Sequence, residues 1–113
     1  MKDQKISFHT DPRGTNPRKA WGRLSGTFEG AQHPVTFTVF QHPANPDYPG
    51  DWVEYPNLNW LQPTFPASGT RFVLKQNAPL VLRYRLWIVG GLAGDESCAD
   101  QCRAYHSTRF RKA

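Results

Sequence analysis

The most regular stretch of the chain runs from Leu80 to Val89, where Leu80, Leu82, Tyr84, Leu86 and Ile88 alternate with Val81, Arg83, Arg85, Trp87 and Val89. Successive side chains of a strand point to opposite faces. The alternation therefore predicts a half-buried strand, with Leu82, Tyr84 and Leu86 turned inward and the two arginines outward. Gly90-Gly91 closes it. A second alternation, Pro34 to Gln41, places Val35, Phe37 and Val39 on one face and Thr36, Thr38 and Phe40 on the other, and its β-branched and aromatic content suits a strand. Trp21 to Glu29 predicts a strand before it, and Arg71 to Lys75 another after it. Two short strands, Asp51 to Tyr55 and Leu58 to Gln62, are expected on either side of a break at Pro56. From Asp95 the period changes: Cys98, Cys102 and Tyr105 recur at i, i+4 and i+7, which predicts a helix from Asp95 to about His106. Ser97 and Asp100 stand at the spacing of a capping box, and both thiols fall on one helix face, free and reduced.

Between these elements the chain is rich in turn chemistry. His42-Pro-Ala-Asn-Pro-Asp-Tyr-Pro-Gly50 reads as a fixed Ω-type loop, with His42 and Asn45 as its structural residues. Residues 1–20, with Asp11-Pro12-Arg13-Gly14 and Asn16-Pro17, read as an irregular N-terminal segment, which leaves 21–113 as one domain. Short strands separated by Pro/Gly turns predict a mainly β chain: an antiparallel β-sandwich, or part of a larger supersandwich, with a short C-terminal helix.

Composition narrows the classes without changing that picture. The 113 residues suffice for one core, and four Trp, four Tyr and seven Phe argue against disorder. No apolar run is long enough to span a bilayer, and no apolar stretch follows Met1-Lys2-Asp3-Gln4-Lys5 as in a signal peptide, so the cytoplasm is the expected compartment. The net charge of +5 is spread along the chain, with a terminal cluster at Arg109, Arg111 and Lys112, and accompanies no nucleic-acid-binding motif.

Candidate chemistry concentrates between His42 and Gln62. Flat aromatic faces stack on the C–H faces of sugars, and planar amides or carboxylates pair with hydroxyls; Trp52, Tyr55, Asn59 and Trp60 offer both as ligand-binding residues. Regular alternation would make one of Trp52 and Trp60 a core residue and the other a partly exposed platform. The alternative is a hydrolase- or oxygenase-type enzyme with His42, Asp51 and Glu54 as catalytic candidates. No His-x-His or Glu-x-x-His spacing supplies a metal site, and neither a nucleophile elbow nor a phosphate or dinucleotide loop is present, so no cofactor is expected.

The run His42-Pro-Ala-Asn-Pro-Asp-Tyr-Pro-Gly-Asp-Trp52 resembles the HP-x-NP-x-x-P-x-x-W segment of a bacterial family filed as methane oxygenase PmoA-like. Trp21-Gly22-Arg23, the strand Pro34 to Phe40, the strand Leu80 to Ile88 and the closing helix are similar to that family's elements in the same order. The resemblance spans Trp21 to Tyr105 and corresponds to roughly the C-terminal third of a typical member. It implies a β-sandwich similar to sugar-mutarotase-like supersandwiches, linked with carbohydrate use and unlike a membrane-embedded oxygenase subunit. Val53 stands where many members carry a histidine. Since members are longer, the resemblance also implies uncovered sheet surface in this chain, and hence self-association.

Overall fold

The computed structural model describes residues 1–55 and 57–110. The chain is mainly β and consistent with a β-sandwich-like fold. Four antiparallel strands, β1 (Lys2–Thr10), β2 (Lys19–Thr27), β3 (Val35–Gln41) and β6 (Tyr84–Gly90), form one sheet in the order β1-β2-β3-β6. Two short strands, β4 (Asp51–Trp52) and β5 (Pro63–Thr64), pair separately, and α1 (Asp95–His106) packs on one face of the large sheet.

β1 corrects the expectation of an irregular start. Lys5, Ser7 and His9 alternate with Ile6 and Phe8, and the strand pairs along its length with β2, Ile6 opposite Leu24 and Phe8 opposite Gly22. The turn signals around Asp11 and Asn16 mark only the connection that follows. Asp11 accepts a hydrogen bond from the Arg13 N–H and Asn16 from the Arg18 N–H, as Asx turns do.

The two faces of β3 and β6 are also the reverse of what hydrophobicity suggests. Thr36, Thr38 and Phe40 lie fully buried beneath α1, whereas Leu86 and Ile88 on β6 are 57% and 55% exposed and Tyr84 is 39% exposed. The reason is polar satisfaction. The Thr36 hydroxyl donates to the Gly91 carbonyl at 2.8 Å and accepts from the Ala93 N–H at 3.1 Å, and Thr38 Oγ1 sits 3.7 Å from Cys98 Sγ. Threonine is as well shaped for a strand as valine, and once its hydroxyl is paired its burial costs little. Arg85 and Trp87 share this covered face; the Arg85 guanidinium lies over the Tyr105 ring at 4.6 Å and Trp87 packs against the core.

The core consists of Ala20, Trp21 and Phe40 from the sheet and Cys98, Cys102 and Tyr105 from the helix. Both cysteines are free and buried on one helix face. The helix begins at Gly94 without a side-chain cap, so Ser97 and Asp100 do not form the expected box; Asp100 instead pairs with Arg103 at 2.8 Å. Arg23 ties the helix start to the sheet, with one nitrogen 2.6 Å from Asp95 and another donating to the Ala93 carbonyl at 2.9 Å.

Of the expected strands Asp51–Tyr55 and Leu58–Gln62, the first shortens to β4 and the second does not form; β5 lies just beyond it and pairs with β4, Asp51 opposite Thr64 and Trp52 opposite Pro63. Residues 58–62 run as irregular chain, with Leu61 seated on Gly22, where a Cβ would lie 2.8 Å from its Cδ2. Pro56, Arg111 and Lys112 lie outside the described residues. Arg71–Lys75 forms no strand. Beyond one bridge between Lys75 and Ala78 it finds no partner among the described residues, and a strand without a partner has nowhere to place its ladder hydrogen bonds.

Candidate functional site

The loop from His42 to Gly50 is held at both ends. The Asn45 side chain mimics a neighbouring strand: its amide donates to the Arg83 carbonyl and its oxygen accepts from the Arg83 N–H, both at 2.7 Å. Gln41 does the same for Gly50, accepting from its N–H at 2.6 Å and donating to its carbonyl at 3.3 Å. His42 Nδ1 accepts from the Ala44 N–H at 3.0 Å, which leaves the ring proton on Nε2, buried, with the Thr108 carbonyl as an acceptor outside normal hydrogen-bond geometry. The ring rests edge-on against Tyr105, His106 and Phe110, and burial, with the nearby Arg83 also contributing, lowers its pKa below the usual histidine value.

Asp51 and Glu54 lie elsewhere. Asp51 accepts from the Trp52 N–H at 2.9 Å and the Ser68 N–H at 3.1 Å, so both oxygens serve the chain path. Glu54 is exposed and makes no hydrogen bond or ion pair among the described residues. No contact joins His42 to either carboxylate, and no group of three metal-ligating side chains occurs among the described residues.

The aromatic candidates separate sharply. Trp52 is 9% exposed, its indole N–H donating to the Lys19 carbonyl at 2.9 Å and its ring 5.3 Å from Phe8. Trp60 and Tyr55 are 47% and 48% exposed, with ring centroids 5.8 Å apart and planes at 78°. Trp60 is oriented by its N–H, which donates to Gln62 Oε1 at 2.6 Å, and Asn59 is tied to Gln4 at the same distance. Tyr55, Trp60, Leu58 and Glu54 line an open groove of about 260 Å³ whose floor is Ile6 and Phe8 of β1. A second groove of about 190 Å³ shares Phe8 and Glu54 with it and is lined further by Arg18, Lys19, Asp51 and Trp52. The loop residues were visible in the sequence as a cluster. Ile6 and Phe8 were missed, although their alternation with Lys5, Ser7 and His9 is a readable strand signal.

A polar cluster under the helix has the members of a thiol triad. Cys102 Sγ lies 3.4 Å from His106 Nε2, and His106 Nδ1 lies 3.6 Å from Asp11 Oδ2. The protons are committed otherwise. The Gln41 carbonyl, 2.9 Å from Nε2, has none to give, so Nε2 carries the ring proton and cannot take one from the thiol. Asp11 Oδ2 accepts from the Tyr48 hydroxyl at 2.7 Å. Burial, with the Asp11 charge adding to it, pushes the Cys102 thiol up to about 12, and neither Cys102 nor the His106 side chain reaches solvent. Reactive cysteines are exposed and low in pKa; this arrangement is a structural tie between helix, loop and β1–β2 connection. A thiol reagent is therefore expected to find no fast-reacting thiol in the native protein and two after denaturation, and one rapid equivalent from native protein would show the helix face to be open.

No curated protein and no solved structure matches the chain. Residues 3–103 match a family of unknown function, DUF6807, a span that takes in β1 to β6, both grooves and most of α1. The chain belongs to that family.

Proposed function

We propose that the groove between β1 and the Tyr55–Trp60 loop binds a saccharide ring, and that the protein is a carbohydrate-associated binding module of the PmoA-like kind. One observation carries the reading: two large aromatic rings are held half-exposed and mutually angled over an apolar floor, beside the exposed Glu54 carboxylate, which makes no ion pair among the described residues. A core would have absorbed both rings. Here the indole N–H bond to Gln62 fixes the Trp60 ring in the exposed position, and the Glu54 carboxylate is free to accept hydrogen bonds from adjacent hydroxyls. At about 260 Å³ the groove falls just under the ~300 Å³ at which small-molecule pockets begin, which suits a single ring and weak affinity.

Mono- and oligosaccharides titrated against tryptophan fluorescence test the reading, because Trp60 is the most exposed of the four tryptophans, with Trp21 and Trp52 buried and Trp87 intermediate. Saturable quenching or a blue shift is expected. Trp60→Ala should weaken binding by about tenfold or more, the equivalent of ~1.4 kcal/mol, with Glu54→Gln changing the order of preference among sugars. A spectrum indifferent to every sugar would end the carbohydrate reading.

A further inference from the structure

We infer that the segment from Arg71 to Leu82 is a docking arm that covers the open face of β6 in a second copy of this chain, the two copies exchanging arms about a two-fold axis. The arm is made of strand-type sequence, Arg71-Phe-Val-Leu-Lys75 and Pro79-Leu-Val-Leu82, joined by a turn in which Asn77 takes φ +63°. Its apolar side chains stand in solvent: Val73 is 75% exposed, Leu74 68%, Val81 48% and Phe72 45%. The chain is correspondingly extended, with a radius of gyration of 15.4 Å where about 13 Å is ordinary for this length, and one axis of 50 Å against 30 and 28 Å.

The arm runs directly into β6, whose outer face exposes Leu86 and Ile88. Neighbouring sheet positions on that face are Val39, opposite Leu86, and Phe37, opposite Ile88. Arm and face belong to the same chain, so a two-fold contact can use both twice: each copy donates the arm that the other receives. Charge permits the approach. The sheet positions of the face hold no ionised group, so two chains of net charge +5 meet there without opposed like charges. Edge-to-edge pairing is less favoured, since the outer strands carry Lys2 and Lys5 on β1 and Arg85 on β6. Full burial of the exposed area of the four arm side chains together with Leu86 and Ile88, at roughly 100 Å² each, would remove about 600 Å² per copy and about 1,200 Å² in all, the lower bound for a specific interface.

Sedimentation equilibrium of the full chain tests this. A monomer–dimer equilibrium in the micromolar range is expected, with no larger species. Val73→Asp in the arm and Ile88→Asp on the face should each weaken dimerisation by about 100-fold or more, because two-fold symmetry places every substitution in the interface twice. Circular dichroism should stay unchanged, since both positions are exposed in the monomer. Should either variant fail to fold, mixing Val73→Cys with Ile88→Cys protein decides: a disulfide joining the two variants supports the exchange, and its absence overturns it. A monomer throughout, assembly beyond the dimer, or sensitivity to Ile88→Asp without sensitivity to Val73→Asp would each overturn the inference.

Discussion

Phe40→Ala is expected to destabilise the protein by about 3–5 kcal/mol, and Leu86→Ala by well under 1 kcal/mol, when both are unfolded by denaturant at concentrations too low for association. Phe40 is fully buried, 6.0 Å from the Trp21 ring, within the cluster that Cys98, Cys102 and Tyr105 close from the helix side. Removing its ring opens a cavity between sheet and helix that neither can collapse to fill, and a small domain has only about 5–15 kcal/mol of stability to lose. Leu86 sits on a neighbouring strand of the same sheet, paired with Val39 next to Phe40, yet faces the other way and is 57% exposed. Its truncation removes little buried surface. The contrast between the two variants measures which face of the sheet is core, and equal losses would show the exposed face to be covered.

That distinction is where reading the sequence and reading the structure part. Period and composition were enough for β2, β3 and α1, whose expected start at Asp95 and end at His106 coincide with the helix observed, but of the strand expected over Leu80–Val89 only Tyr84 onward pairs, and residues 80–83 form no strand. Alternation says that two faces differ; it does not say which one is covered. The choice fell to Thr36 and Thr38, whose hydroxyls find the 91–93 turn and Cys98, partners far away in sequence. The arm shows a second limit. Arg71–Lys75 has strand propensity, but a strand is a relation between two segments, and here the second is absent among the described residues. Of the candidate site, the aromatic loop was legible as a local cluster. Its separation into a buried Trp52 and an exposed Tyr55–Trp60 pair required knowing that Ile6 and Phe8 run beneath it. The distance of His42 from the carboxylates likewise follows from the loop's closure onto Arg83, which no spacing encodes.

The network beneath the helix sets the acid limit of the fold. His42 and His106 both titrate below the ordinary histidine value near 6.5, burial being the main cause in each; carbonyl contacts, and for His106 the Asp11 charge, only partly offset it. His9, stacked on Trp21 at 4.0 Å, is lowered in the same direction by burial. As pH falls through 6.5 the unfolded chain takes up protons that the folded chain still refuses, so stability falls with pH in that window. It is complete above the unfolded pKa and lost progressively as pH drops through the folded values. Each such proton can contribute a slope of up to about 1.4 kcal/mol per pH unit, and the two most buried histidines, His42 and His106, act in the same direction. Asp11 adds a second stage. Burial would raise its pKa, but the Arg13 N–H, the Tyr48 hydroxyl and His106 outweigh it and hold the carboxyl below its ordinary 3.8, so its contribution persists above that value and fails only at lower pH. Denaturant midpoints measured from pH 8 to pH 3 should therefore stay level down to about 7 and then decline. His106→Gln, which keeps a side-chain donor for the Gln41 carbonyl, should shallow the decline and, by removing one of the groups that hold the Asp11 carboxyl down, move the acid stage to higher pH. Midpoints that stay level between pH 7 and pH 5 would mean that neither histidine is shielded as the structure places it.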